Sequence, residues 1–189
     1  MSGHSILTKI LFVAIALGGL VLGFMMSPKQ ATVPAPASAP IVEVSHSSNL
    51  LGTRRPDFKL GSQTGAFVTA EDFSGKTVLF NFWATWCAPC VEEMPMLVEL
   101  QSQYGDEGLQ VVGIALDDVQ KVRDFVEAFG ITYPILVGSA DVMETNQRYG
   151  NLSGALPYSV LVDAEGIIRW QYSGALQHDE LVNVLQQWL

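Results

Sequence analysis

Apolar residues in this chain follow two regimes. From Ile6 to Met26 they run almost unbroken, with Lys9 as the one charge inside, and Ile10 to Met26 is apolar or glycine throughout. At about 1.5 Å per residue, a helix over Ile6–Met26 spans the ~30 Å hydrocarbon core of a bilayer, with Lys9 reaching back to the headgroups. The run exceeds the ~7–15 residues of a signal-peptide core. The small residues Ala35, Ala37 and Ala39 fall well past its end, among prolines, so an uncleaved anchor is expected over residues 1–27. Lys9 and the α-amino group precede the span and Lys29 follows it, a slight bias toward a cytoplasmic N-terminus and a translocated domain. Residues 28–50, rich in Ala, Pro, Ser and Val, cannot bury a core and are expected to act as a tether.

From Leu51 the apolar positions recur with the periods of strands and helices, and residues 51–189 are expected to form one domain. Phe58–Leu60 and Ala66–Val68 are short strand candidates around a Gly61–Gly65 turn. Thr77–Trp83 and Leu109–Leu116 are near-continuous apolar runs, as strands covered on both faces require. Glu92–Tyr104 has helical spacing, and Val119–Phe129 places Val122, Phe125, Val126 and Phe129 on one helix face before the stop at Gly130. Tyr133–Val137 predicts a strand and Val142–Tyr149 a helix. Tyr158–Asp163 and Ile167–Tyr172 predict a hairpin across Ala164–Gly166, and His178–Leu189 a last helix. Strands alternating with helices imply an α/β fold, a three-layer α/β/α sandwich around one mixed sheet.

Composition changes this picture little. The 49% hydrophobic fraction is inflated by the anchor, and beyond residue 50 the chain carries 8 Lys and Arg against 18 Asp and Glu. So acidic a domain repels nucleic acid and shows no basic stripe.

The chain has two cysteines, Cys87 and Cys90, too few for a disulfide scaffold or a four-ligand zinc site. They lie in F-W-A-T-W-C-A-P-C (Phe82–Cys90), between a buried strand and a helix. That run resembles the thioredoxin superfamily, and most of all its membrane-tethered, extracytoplasmic TlpA-like and ResA-like disulfide reductases. Asn81, Glu93, Pro95, the extra helix and strand over Val119–Val137, and G-A-L-P-Y-S-V-L-V-D from Gly154 to Asp163 extend the likeness over residues 51–189.

The resemblance implies a thioredoxin-like domain that exchanges electrons with protein thiols and disulfides, with the Cys87–Cys90 disulfide as its redox group and no other cofactor. It further implies a place on the outer side of a bacterial cytoplasmic membrane, a membrane relay protein as reductant, and a role such as cytochrome c maturation. It also implies a cis Leu156–Pro157 bond facing the disulfide, against the roughly 5–6% base rate. The backbone of Leu156 would then pair with an extended substrate.

Elementary chemistry supports the redox reading. Cys87 at a helix N-terminus has its thiolate stabilised by unpaired N–H groups and the helix dipole, and Cys90, three residues on, can resolve a mixed disulfide. Pro89 suits an early helix position. A structural staple closing so short a ring would give only about 2 kcal/mol; that and a metal-binding pair are the alternatives. The uncharged Ala88, unlike a histidine that would stabilise the thiolate and make an oxidant, leans the protein toward a reductase or a moderate poise.

Asn81 stands where thioredoxin-like proteins often carry a buried acid, and an amide cannot take the resolving thiol's proton. Glu93 shares the helix face of Cys90, which makes it either the proton acceptor and tuner of the thiols or an ordinary helix carboxylate. Glu92 is expected in solvent, Pro95 to bend the helix, Trp83 in the core, and Trp86 beside the site as a substrate-binding surface. Cys87 is expected to be exposed and Cys90 buried. A peroxide-reducing enzyme would carry its cysteine in a different motif. A copper chaperone would need a histidine as third ligand, yet His4 and His46 precede the domain and His178 falls near the start of the last helix. A redox-dead interaction domain would not need both cysteines.

Overall fold

The computed structural model describes residues 48–189; the expected anchor and nearly all of the tether lie outside them. Among the described residues, no helix is long and apolar enough to cross a membrane. The strands are β1 (Lys59–Ser62), β2 (Phe67–Thr69), β3 (Thr77–Trp83), β4 (Leu109–Leu116), β5 (Ile135–Gly138), β6 (Tyr158–Val162) and β7 (Ile168–Ser173). The helices are α1 (Ala88–Tyr104), α2 (Val119–Phe129), α3 (Ala140–Arg148) and α4 (His178–Leu185). One mixed sheet has the order β2-β1-β5-β4-β3-β6-β7. Its centre, β3, β4 and β5, is parallel, and β1, β2, β6 and β7 join antiparallel.

β3 is buried at every position, as its apolar run predicts for a strand covered on both faces. Alternation sends Leu79 and Trp83 to one side, where they meet Met94, Leu97 and Leu100 of α1, Val122 of α2, and Leu181 and Leu185 of α4 in one apolar cluster. Val78, Phe80 and Phe82 point the other way, toward Val142 of α3, Tyr149 and Phe58. Three helices thus cover one face and one covers the other. The lead-in joins the domain through Ser48 N–H to Gly150 O at 3.0 Å and Leu50 N–H to Gln171 Oε1 at 2.9 Å.

The sequence expectations for β3, β4 and α2 hold to the residue, while β1, β2, β5, β6, β7 and α3 shift by one or two at their ends. α1 begins at Ala88, four residues before the apolar spacing that starts at Glu92, and this agrees with Cys87 at its N-terminus and Pro89 in its first turn, where no N–H is required. Two differences have physical causes. α4 stops at Leu185, and the following residues form turns whose Trp188 carbonyl accepts the Thr77 hydroxyl at 2.7 Å. Phe129, the last residue of α2, is half exposed and stacks on Phe125 at 4.1 Å instead of entering the core.

Candidate active site

Strand register brings the site together. β3 pairs with β4 to Trp83–Ala115 and with β6 to Phe82–Tyr158. The loop leaving β3, the residue after β4 and the proline before β6 therefore share one end of the sheet. There Cys87 caps α1 from an extended conformation (φ −92°, ψ 98°). Its N–H donates to Ala84 O at 3.1 Å, closing a turn, and its carbonyl accepts Val91 N–H at 3.1 Å, opening the helix. Cys87 and Cys90 form a disulfide with Cα atoms 5.3 Å apart. The expectation of an exposed Cys87 needs correction. Both cysteines are buried, Cys87 keeping 6% of its surface and Cys90 none. The turn seats Cys87 against the core, so the contrast between the two sulfurs is one of slight access against no access.

Around them Ala88 and Pro89 are exposed, and Trp86 keeps 66% of its surface in solvent, whereas Trp83 has none. Pro95 lies on the outer face of α1, which continues through it to Tyr104.

Glu93 is buried, and Glu92 beside it is exposed. Its Oε1 accepts the Asn81 side-chain N–H at 2.7 Å and its Oε2 accepts the backbone N–H of Leu176 at 2.8 Å. Burial pushes the Glu93 carboxyl up from its ordinary value, and the bonds from Leu176 and Asn81 pull it only part of the way back. Asn81 also donates to Ser159 Oγ at 3.1 Å, the residue facing it across β6. Thus the strand position expected to carry the acid carries an amide, and that amide holds an acid delivered by α1. Tyr133, whose hydroxyl donates to Met94 Sδ at 3.3 Å, has its phenol pushed up by burial and by the Glu93 charge.

The Leu156–Pro157 bond is cis. Leu156 packs against the cluster that contains both cysteines. Its backbone N–H and C=O have no hydrogen-bond partner among the described residues. His178 opens α4 and pairs with Asp179 at 3.0 Å. Among the described residues, no group of three or more His, Cys, Asp or Glu side chains gathers as a metal site.

A disulfide at a helix N-terminus beside a cis-proline loop is the arrangement expected of a thioredoxin-like enzyme, and comparison with known proteins agrees. Residues 51–171 match the model of the AhpC/TSA family. The chain belongs to the AhpC/TSA family. It is 35% identical to the thioredoxin-like protein YneN of Bacillus subtilis over 69% of this chain and 75% of that protein. It is 32% identical to the thiol-disulfide oxidoreductase ResA of Geobacillus thermodenitrificans over 72% of this chain and 76% of that one. A solved thiol:disulfide interchange protein of the thioredoxin family from Chlorobium tepidum superposes with a TM-score of 0.65 at 25% identity, covering 75% of this chain and 99% of that one. This AhpC/TSA family member is a thiol-disulfide oxidoreductase with a thioredoxin-like mixed-sheet fold.

Sequence reading missed four contributors to the family member's site: Ser159, Leu176, Thr85 and Asp117. Asp117 Oδ2 accepts both the N–H and the hydroxyl of Thr85, at 3.0 and 2.5 Å. Burial alone would raise the Asp117 carboxyl, yet these bonds, the Asp118 N–H and the Lys121 charge hold it below its ordinary value. Leu176 contributes through its backbone, which no side-chain pattern reveals, and Ser159 reads as one more position of a buried strand.

Proposed function

We propose that this enzyme reduces disulfides of proteins on the outer side of a bacterial cytoplasmic membrane, tethered by residues 1–27 through the 28–50 linker. Carrying the proposal is the Cys87–Cys90 disulfide at the start of α1, with a buried carboxylate, Glu93, on the helix face of Cys90. In the reduced enzyme the Cys87 thiolate attacks one sulfur of a substrate disulfide; that S–S bond breaks and one substrate thiolate leaves. Cys90 passes its proton to Glu93 and its sulfur attacks Cys87 Sγ. The mixed disulfide breaks, the second substrate thiolate leaves, and Cys87–Cys90 is oxidised by two electrons while the substrate gains two. A membrane relay protein, itself a dithiol, then returns the pair to the reduced state.

Glu93 suits the proton step because burial raises its affinity for a proton while Asn81, an amide, offers none. Trp86 offers an exposed aromatic surface to the partner, and the unpaired backbone of Leu156 can accept an extended chain beside the cis-Pro157 bond. Pro89 and Pro95 shape α1 around the pair. Maturation of c-type cytochromes, whose haem-attachment cysteines must be kept reduced, is a role of matching chemistry.

The test is a Cys90→Ser variant of the full chain expressed in a bacterium. Mixed disulfides through Cys87 should accumulate in the membrane fraction, and a membrane-impermeant thiol reagent should reach the freed Cys87. Cys87→Ser should trap none. Trapping by Cys87→Ser instead, or mixed disulfides confined to soluble cytoplasmic proteins, would overturn the assignment.

A further inference from the structure

The bond between Asp117 and Thr85 has a use in the reaction. β3 and β4 leave their ladder at Trp83–Ala115, and two residues later Thr85 and Asp117 still lie side by side, joined by a carboxylate where a backbone bond would have been. The carboxylate is itself fixed. Asp117 N–H donates to Gly138 O at 3.2 Å, which prolongs the pairing of β4 with β5, and its Oδ1 accepts Asp118 N–H at 2.8 Å. Asp118 in turn caps α2, accepting from Gln120 and Lys121. Two bonds to an ionised oxygen are stronger than neutral ones, so Thr85 is moored to the sheet and to α2 together.

Thr85 is two residues from the nucleophile. Among the described residues, its bonds to Asp117 are the only side-chain hydrogen bonds made by residues 84–90. In the oxidised enzyme the disulfide also holds Cys87. In the reduced enzyme that tether is gone, and the turn Ala84–Cys87 keeps its one backbone bond, the first bond of α1 and the Asp117 mooring. We propose that Asp117 is a positioning residue for thiol exchange, holding the Thr85–Cys87 turn of the reduced enzyme so that the Cys87 sulfur meets the substrate disulfide in line. Pre-set geometry of this kind governs the rate once the thiolate is formed, and an error near 1 Å lowers it by as much as about a hundredfold. The carboxyl lies below its ordinary range, so the mooring stays charged at every pH where a thiol ionises.

The inference rests on Cys87 being the nucleophile, and the experiment separates the two. In the full chain carrying Cys90→Ser, which leaves one thiol, the rate of reaction with an aromatic disulfide is followed against pH to its thiolate-limited plateau. The unaltered single-thiol protein must react; no reaction would sink the assignment of Cys87 and not the mooring. With Asp117→Asn added, the plateau should fall about tenfold or more. Thr85→Val, which keeps the N–H bond and loses the hydroxyl bond, should fall part of the way, and Thr85→Ser should restore the rate. The thermal midpoint of each variant with both cysteines present and oxidised should move little. An unchanged plateau for Asp117→Asn, or a loss that Thr85→Ser shares with Thr85→Val, would overturn the positioning role.

Discussion

The two faces of β3 are built to different ends. Toward α3, Val78, Phe80 and Phe82 enter a cluster whose aromatic rings meet edge to face: Phe80 lies 5.7 Å from Phe58, 5.9 Å from Phe73 and 5.5 Å from Tyr149. Toward α1, Leu79 and Trp83 flank Asn81, and at that position the sheet offers Gly113 on one side and Ser159 on the other. The first face is apolar packing around rings whose polar ends find partners, as Tyr149 does when its hydroxyl donates to Pro56 O at 2.9 Å. On the second, a carboxylate is buried at a desolvation cost that the bonds from Asn81 and Leu176 offset only in part. One side of the strand supplies stability. The other gives some of it up for a group that can hold a proton behind the disulfide.

If that division is right, the largest stability loss belongs to the aromatic face and leaves the chemistry alone. Phe80→Ala removes a fully buried ring and should cost about 3–5 kcal/mol. Denaturant unfolding of the oxidised protein would measure it, and exchange rates per folded molecule should match the wild type. A changed thiol titration in Phe80→Ala would break the comparison, showing that the two faces are coupled through β3.

Glu93→Ala should come next, at about 2–4 kcal/mol, since the Asn81 and Leu176 donors would be left buried without an acceptor. Here the chemistry should fail too, with resolution of the mixed disulfide slowed beyond what the loss of folded protein explains. Stopped-flow release of substrate from the Cys87 mixed disulfide is the measurement. Normal release in this variant would move the proton step away from Glu93.

The aromatic face was the more legible of the two. Thr77–Trp83 reads as a buried strand because each of its residues but Asn81 is a good strand former, and its period assigns Phe80 to one side without any partner being known. The cysteine pair, Pro89 and the exposure of Trp86 were equally local, all inside one strand-to-helix turn. Glu93 was not. Its spacing from Cys90 puts it on the right helix face, but burial depends on Asn81, twelve residues back, and on the Leu176 N–H, 83 residues on. The Asp117–Thr85 mooring joins residues 32 apart through a register that exists only once β3 and β4 have paired. The access of Cys87 was misjudged for the same reason: a nucleophile suggests exposure, while the turn that places it folds the residue onto the core.

The finest test of the comparison is Glu93→Gln, where the stability effect should be smallest and its pH dependence should carry the information. Glutamine fits the site in size. Its one oxygen can accept the Leu176 N–H or the Asn81 N–H but not both, and turning the Asn81 amide over only moves its N–H group to the place where Oδ1 has no partner among the described residues. One buried donor loses its acceptor, so the change should cost about 1–3 kcal/mol. Burial raises the Glu93 carboxyl from its ordinary value of 4.5, so the folded enzyme binds this proton more tightly than the unfolded chain does. Wild-type stability from this group is therefore greatest at acid pH, falls as pH climbs from 4.5 through the raised value, and is flat above it. A glutamine has no proton to lose. Glu93→Gln should thus gain on the wild type across that window, while Glu92→Gln, exposed one residue away, should track the wild type at every pH. Removing the buried charge should also lower the thiol pKa values of the reduced pair by relieving like-charge repulsion, and slow substrate release. Unfolding curves at stepped pH, with thiol titrations on both variants, decide it. Parallel behaviour of the two would mean that the acid behind the disulfide is packed there without serving the exchange, and that the α1 face differs from the aromatic one only in its polarity.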